Sequence, residues 1–206
     1  MLAVATRYGP SVSANAADRY PRILVSVLDA EIAYVDTGAG EPVVFLYGPE
    51  PGSPWGEALR AVADHGRCLE PDPPGAGGSP AAPGGAGTFA DHVRYLDAWF
   101  DLLALDDVVL VLHGAAGALG LDWARRHPDQ VAGIVHQGTP LEPFTWPTGT
   151  GATADVVEPV RSYVEWLDAG GVPVLELEEG PADAAAAAVA EFVRRLRDLE
   201  HEALRR

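Results

Sequence analysis

Lysine is missing altogether. All strong positive charge rests on 14 arginines against 30 acidic residues, a net charge of −16. A chain so short of basic surface has little with which to hold nucleic acid or an anionic membrane, so neither is expected as a partner. The plain account of the acidity is solubility. Cysteine is nearly absent too. Cys68 stands alone, which excludes an internal disulfide framework and a thiolate metal cluster. Its short strand-like setting reads as a buried, inert thiol. No apolar run is long enough to span a bilayer. Residues 1–20 carry no long apolar core behind basic residues and do not read as a secretory signal, so a cytoplasmic protein is the expectation. No metal site and no cofactor are expected.

What is present is ordinary globular composition, 48% apolar, over 206 residues. That is most simply one domain with a real core. Residues 1–20, rich in Ala and Ser, read as a loose arm, and residues 21–206 as the domain. Residues 23–28 and 31–36 are strand candidates joined at Asp29 and Ala30, a hairpin pattern. Residues 42–47 (PVVFLY) are of buried-strand type and open into a rigid loop at 48–54. A helix over 55–65, a strand over 67–70 and a Pro/Gly-rich loop over 71–87 follow. Asp72 lies in a Pro-Asp-x-x-Gly turn and is expected to tie down backbone amides.

Thr88 caps a strong helix, with Asp91 in a capping-box arrangement, and Phe89, Val93, Leu96, Phe100 and Leu103 recur at helical spacing. Residues 131–137 form another strand, while 138–153 show no periodicity. Val160, Tyr163, Val164 and Leu167 predict an amphipathic helix over 156–169. A last strand over 172–177 and an Ala- and Arg-rich helix over 181–204 close the chain. Strands alternating with helices after a hairpin give an α/β class: a mostly parallel sheet with helices on both faces.

The rest is organised around residues 108–120 (VVLVLHGAAGALG). A buried strand runs into a turn of small residues and resumes as a helix stopped by Pro128, the layout of a nucleophile elbow. In enzymes with that elbow the apex residue attacks. Here the apex is Gly114, which has no side chain. The apex backbone is strained for any residue with a Cβ, and glycine adopts it at little cost, so Gly114 is expected to keep the turn while relieving the strain.

Residues 28–47 (LDAEIAYVDTGAGEPVVFLY), 66–79 (GRCLEPDPPGAGGS), 89–120 (FADHVRYLDAWFDLLALDDVVLVLHGAAGALG), 122–135 (DWARRHPDQVAGIV) and 155–174 (DVVEPVRSYVEWLDAGGVPV) carry a resemblance, in order and over most of the chain. The chain resembles haloalkane dehalogenases of the α/β-hydrolase superfamily. The resemblance implies an α/β-hydrolase fold with the cap domain deleted and the last-strand region shortened. Only residues 140–153, a remnant of the cap junction, span the interval where the family inserts its helical cap.

The family attacks a carbon–halogen bond with an Asp held between His and Trp at the elbow. The matching positions are His113, Gly114 and Ala115, so the resemblance leaves neither the nucleophile nor the indole that holds the leaving halide. The halide's second donor, an Asn in a His-Gly-Asn loop, is matched by Pro49 in Tyr47-Gly48-Pro49, and proline donates from neither side chain nor amide. The family's acid region is matched by His136-Gln137-Gly138. The base His is due where Glu178-Glu179-Gly180 stands. Covalent displacement needs nucleophile, base and a donor site together.

Polar residues remain near the former pocket. Glu50, His113 and His136 are the candidates for a repurposed acid–base chemistry, and His113 also reads as a satisfied core histidine. Tyr47, Pro49, Glu50, Ala115, Gln137 and Trp146 are the candidate ligand contacts. Trp146 either plugs the opening left by the cap or meets a partner. Three accounts stay open. One is a non-hydrolytic pseudoenzyme or binding module taking a small apolar molecule or a protein at the former cap face. Another is a repurposed biosynthetic enzyme of cyclase, isomerase or lyase type. The last is a truncated relic. A deep enclosed pocket favours the second account, and a collapsed or plugged one the first. The last strand, left as an open sheet edge, invites a homodimer.

Overall fold

The computed structural model describes residues 6–8, 20–47, 55–85, 87–139, 144–146, 156–157, 165–167, 169–203 and 205. The strands are β1 (Thr6–Tyr8), β2 (Arg22–Val27), β3 (Ala30–Gly38), β4 (Pro42–Leu46), β5 (Arg67–Pro71), β6 (Val108–His113), β7 (Val131–Gln137), β8 (Phe144–Thr145), β9 (Val156–Val157) and β10 (Val174–Leu177). The principal helices are α1 (Gly56–Val62), α2 (Phe89–Leu103), α3 (Gly114–Arg126) and α4 (Ala182–Ala203).

Eight strands form one sheet in the order β1-β2-β3-β5-β4-β6-β7-β10. The three pairs from β1 to β5 are antiparallel. The four from β5 to β10 are parallel. This is the mostly parallel sheet expected after an initial hairpin.

Alternation along the strands sorts the core into two layers, because successive side chains leave a strand on opposite faces. Val44, Leu46, Leu110, Leu112 and Ile134 turn towards α2 and α3, where Tyr95, Trp99, Phe100 and Trp123 meet them. Val43, Phe45, Val109, Val111 and Val135 turn the other way, onto Trp55 and Leu59 beside α1 and onto Val189 and Val193 of α4. With both faces covered, β4 and β6 read as unbroken apolar runs. Each large side chain buried this way contributes about 1.5–3 kcal/mol. Cys68 is fully buried in the second layer, and burial pushes its thiol up to about 12.

The capping box starts α2 as its sequence indicates. The Asp91 amide donates to Thr88 Oγ1 at 3.1 Å, and the Thr88 amide donates to Asp91 Oδ2 at 3.2 Å. Arg126 then clamps α3 to α2, its guanidinium spanning both carboxylate oxygens of Asp97 at 2.7 and 2.8 Å.

Four expectations need correction. The hairpin turns at Leu28 and Asp29, with Leu28 at φ 54°, so that Ala30 already pairs with Val27. The N-terminal arm contributes β1, paired along β2 through Thr6–Tyr8. The last strand starts at Val174, because Pro173 spends its carbonyl on the Ile134 amide and has no amide of its own to pair. Val156 and Val157 are not helical. They pair antiparallel with Thr145 and Phe144. Both are β-branched and stand just ahead of Pro159, a residue that cannot continue a helical ladder. Only Glu165–Leu167 within that predicted helix is described as helical.

Candidate functional site

The parallel strands deliver their C-terminal ends to one edge of the sheet, and the candidates gather there. β6 stays extended through His113, at φ −136° and ψ 136°, and the chain then turns at Gly114, at φ +56°. That is the left-handed region, where a side chain is strained and glycine is not. The elbow therefore keeps its sharp apex. Among the described residues, a Cβ built on Gly114 meets nothing within 4 Å. Behind it, α3 rides close on the sheet. A Cβ at Gly117 would overlap the Thr139 side chain, so only glycine allows this approach.

His113 is half-buried at the N-cap of α3, with its ring edge-on to Trp55 at 5.8 Å. His136 is 5% exposed. The two do not share a face. His113 aligns with Gln137, and His136 aligns with Leu112. His113 therefore points to the α1–α4 layer and His136 to the α2–α3 layer. Burial holds the His136 imidazole below its ordinary pKa, while Glu176, its register partner on β10, pulls the other way. Gln137 donates through Nε2 to the Glu178 carbonyl at 2.9 Å, tying β7 to the chain after β10. Gly138 follows in the left-handed region at φ +58°. Pro49 and Glu50 lie outside the described residues.

Tyr47 is a tie within the core. Its hydroxyl donates to Asp72 Oδ1 at 3.0 Å, and burial beside that carboxylate raises its pKa. Asp72, 1% exposed, also accepts from the Gly78 amide at 2.7 Å and pairs with Arg22 at 3.2 Å. Ser79 extends the tie, donating to the Asp72 carbonyl and accepting from the Ala33 amide, each at 2.8 Å. The expected role of Asp72, holding backbone amides, is what forms.

Trp146 is 3% exposed. Its ring stands at 5.2 Å from Phe89 and 5.3 Å from His92, both at the start of α2. An indole buried in this way is not an exposed contact for a partner. His92 also helps to wall a cavity of about 30 Å³, with Leu46, Tyr47, Asp72, Trp99 and Leu119 among its other walls. The cavity has room for about one or two waters, against the hundreds of Å³ of an ordinary ligand pocket. Ala115 is half-buried on the first turn of α3.

His92, Trp99 and Thr139 are the site residues that the sequence reading passes over. The first two belong to α2, whose apolar stripe signals packing alone. Thr139 carries no local sign. Its only trace is Gly117, a small residue 22 positions earlier on the helix face that Thr139 covers. Among the described residues, no group of three or more His, Cys, Asp or Glu could hold a metal ion. No helix among them is long and apolar enough to cross a membrane.

Comparison with known proteins agrees with this geometry. A haloalkane dehalogenase from Sphingobium indicum is 35% identical over 144 residues, 67% of this chain and 48% of that protein. One from Mycolicibacterium smegmatis is 39% identical over 136 residues, 64% of this chain and 44% of that protein. The chain thus spans under half the length of these relatives. The crystal structure of the haloalkane dehalogenase DatA from Agrobacterium tumefaciens C58 superposes with a TM-score of 0.54 at 38% identity, over 57% of this chain and 40% of that one. A loop variant of the haloalkane dehalogenase DbeA from Bradyrhizobium elkanii gives 0.53 at 34%, over 56% and 39%. The family model described as alpha/beta hydrolase fold matches residues 41–164. With the hairpin-led sheet and the sharp turn at Gly114, that match makes the chain a member of the alpha/beta hydrolase fold family.

Proposed function

We propose that this haloalkane dehalogenase-like chain is a non-hydrolytic pseudoenzyme acting as a binding module. The observation that carries the reading is Gly114. The apex of the elbow keeps its left-handed turn at φ +56°, and a Cβ there would meet none of the described residues within 4 Å, yet glycine offers no side-chain atom that could attack a carbon. Nucleophile, base and donors act as a unit in such sites, and losing one member costs about 10⁴-fold or more. Ala115 and Pro49 stand where the halide donors are due, and no histidine stands between β10 and α4. A non-covalent enzyme in the same place would need a shaped cavity of ligand size. The cavity walled by Tyr47, Asp72 and His92 holds about 30 Å³, and Trp146 packs against α2. A small apolar molecule or a protein partner at the former cap face is the occupant this reading assigns.

The test is halide release from a panel of short bromoalkanes, and p-nitrophenol release from short-chain esters, with one of the relatives run alongside. The expected rates are those of buffer. Saturable turnover that co-purifies with the chain and is abolished by heat denaturation would overturn the proposal.

A further inference from the structure

The cavity of about 30 Å³ against α2 is walled by residues far apart in the sequence. His92, Leu96 and Trp99 recur at helical spacing and bring one face of α2 to it. Tyr47 and Asp72 reach it directly after β4 and β5, and Leu119 comes from α3. Much of this wall is apolar. A polar group set among such walls has to find its partner without bulk water.

Trp99 is the wall residue whose polar atom is left over. Its side chain is fully buried, and Nε1 has no hydrogen-bond partner among the described residues. An indole N–H can only donate. The rings beside it, Tyr34 and Phe100, offer π faces, which are weak acceptors. A buried donor without a partner is costly, so it marks a place where an acceptor belongs. Tyr47 has the complementary capacity. Burial raises the pKa of its phenol, which stays protonated and gives its proton to Asp72 Oδ1 at 3.0 Å. The hydroxyl oxygen keeps its lone pairs for accepting.

We propose that this cavity is a binding site for one ordered water molecule, which accepts from the Trp99 indole N–H and donates to the Tyr47 hydroxyl oxygen. A water needs about 10–15 Å³ of such room and two or more polar partners. The cavity supplies the room, and two of its own walls supply the partners. A cavity with apolar walls alone stays dry, and an organic ligand needs about ten times the space. The water links α2 to the end of β4, which Trp99 and Tyr47 do not bridge by a hydrogen bond of their own. The site goes beyond the non-hydrolytic reading and does not depend on it.

The experiment joins a high-resolution crystal structure of the full chain to ¹⁵N-edited NOE and ROE spectra in solution. The crystal shows one isolated density peak about 2.7–3.2 Å from Trp99 Nε1. In solution the Trp99 indole proton gives a cross-peak at the water frequency, with the sign pattern of a long-lived contact. Ala116→Val adds two methyl groups to the cavity wall and abolishes that cross-peak. Where Ala116→Val does not fold, the density and the cross-peak of the unaltered chain decide. A cavity without density, no cross-peak at Trp99, or a cross-peak that survives Ala116→Val in a folded chain would overturn the proposal. Those outcomes leave the non-hydrolytic reading standing, because that reading falls only to hydrolytic turnover.

Discussion

Asp72 is the carboxylate on which the loop through Gly78 and Ser79 hangs, and its removal has a calculable cost. The groups that lean on it include the Tyr47 hydroxyl at 3.0 Å, the Gly78 amide at 2.7 Å and the Arg22 guanidinium at 3.2 Å. Hydrogen bonds to a charged acceptor contribute about 1.5–3 kcal/mol each. Breaking a buried ion pair from one side costs about 3–5 kcal/mol. The figures share one carboxylate and do not add. The Arg22 side chain keeps 17% of its surface in solvent, which places Asp72→Ala at the low end, about 3–4 kcal/mol. Tyr47→Phe leaves Asp72 its other partners and costs about 1.5 kcal/mol. For a domain of this size the Asp72→Ala loss lowers Tm by about 6–16 °C. Urea unfolding followed by tryptophan fluorescence reads both changes as a lower midpoint at unchanged slope. A loss under about 1 kcal/mol for Asp72→Ala, or one equal to that of Tyr47→Phe, would refute this account of the loop.

Two further outcomes follow from the close packing and from the buried histidine. Gly117→Ala gains about 1 kcal/mol of helix propensity but drives a Cβ into the Thr139 side chain, so the net effect is a loss of about 1–2 kcal/mol. Thr139→Ala in that background recovers most of the loss, as a double-mutant cycle by urea unfolding will measure. His136 has a folded pKa below its ordinary value of 6.5, so the unfolded chain binds more protons at acid pH. Its contribution is present above pH 6.5 and is lost as pH falls through the folded value. His136→Gln flattens the acid limb of a Tm-against-pH curve, and an unchanged limb would locate the acid sensitivity elsewhere.

The sequence is most readable where the physics is local. Thr88 and Asp91 are three residues apart and satisfy each other, so the start of α2 is written in two letters. β4 and β6 are apolar without interruption because both their faces are covered. Gly114 is readable for a related reason, since a left-handed apex leaves glycine as the unstrained choice. The failures are non-local. β1 exists because β2 offers an edge, and nothing in its own three residues demands a strand. The helix predicted over 156–169 follows its apolar spacing and discounts Pro159. The separation of His113 from His136 follows from a one-residue difference in register between β6 and β7, which decides the face each imidazole occupies. Thr139 is buried by a helix residue 22 positions away, so its neighbourhood emerges only when the sheet is assembled.

The division of the core by the sheet has an optical consequence. Of five tryptophans, Trp55 alone belongs to the layer beneath α1 and α4. Trp99, Trp123 and Trp146 belong to the opposite layer, and Trp166 packs against it. A version of the chain with Trp55 as its one indole would report the loosening of one layer, and its complement would report the other. Unequal midpoints from that pair would mean that the sheet uncovers one face before the other, and equal midpoints that it surrenders both at once.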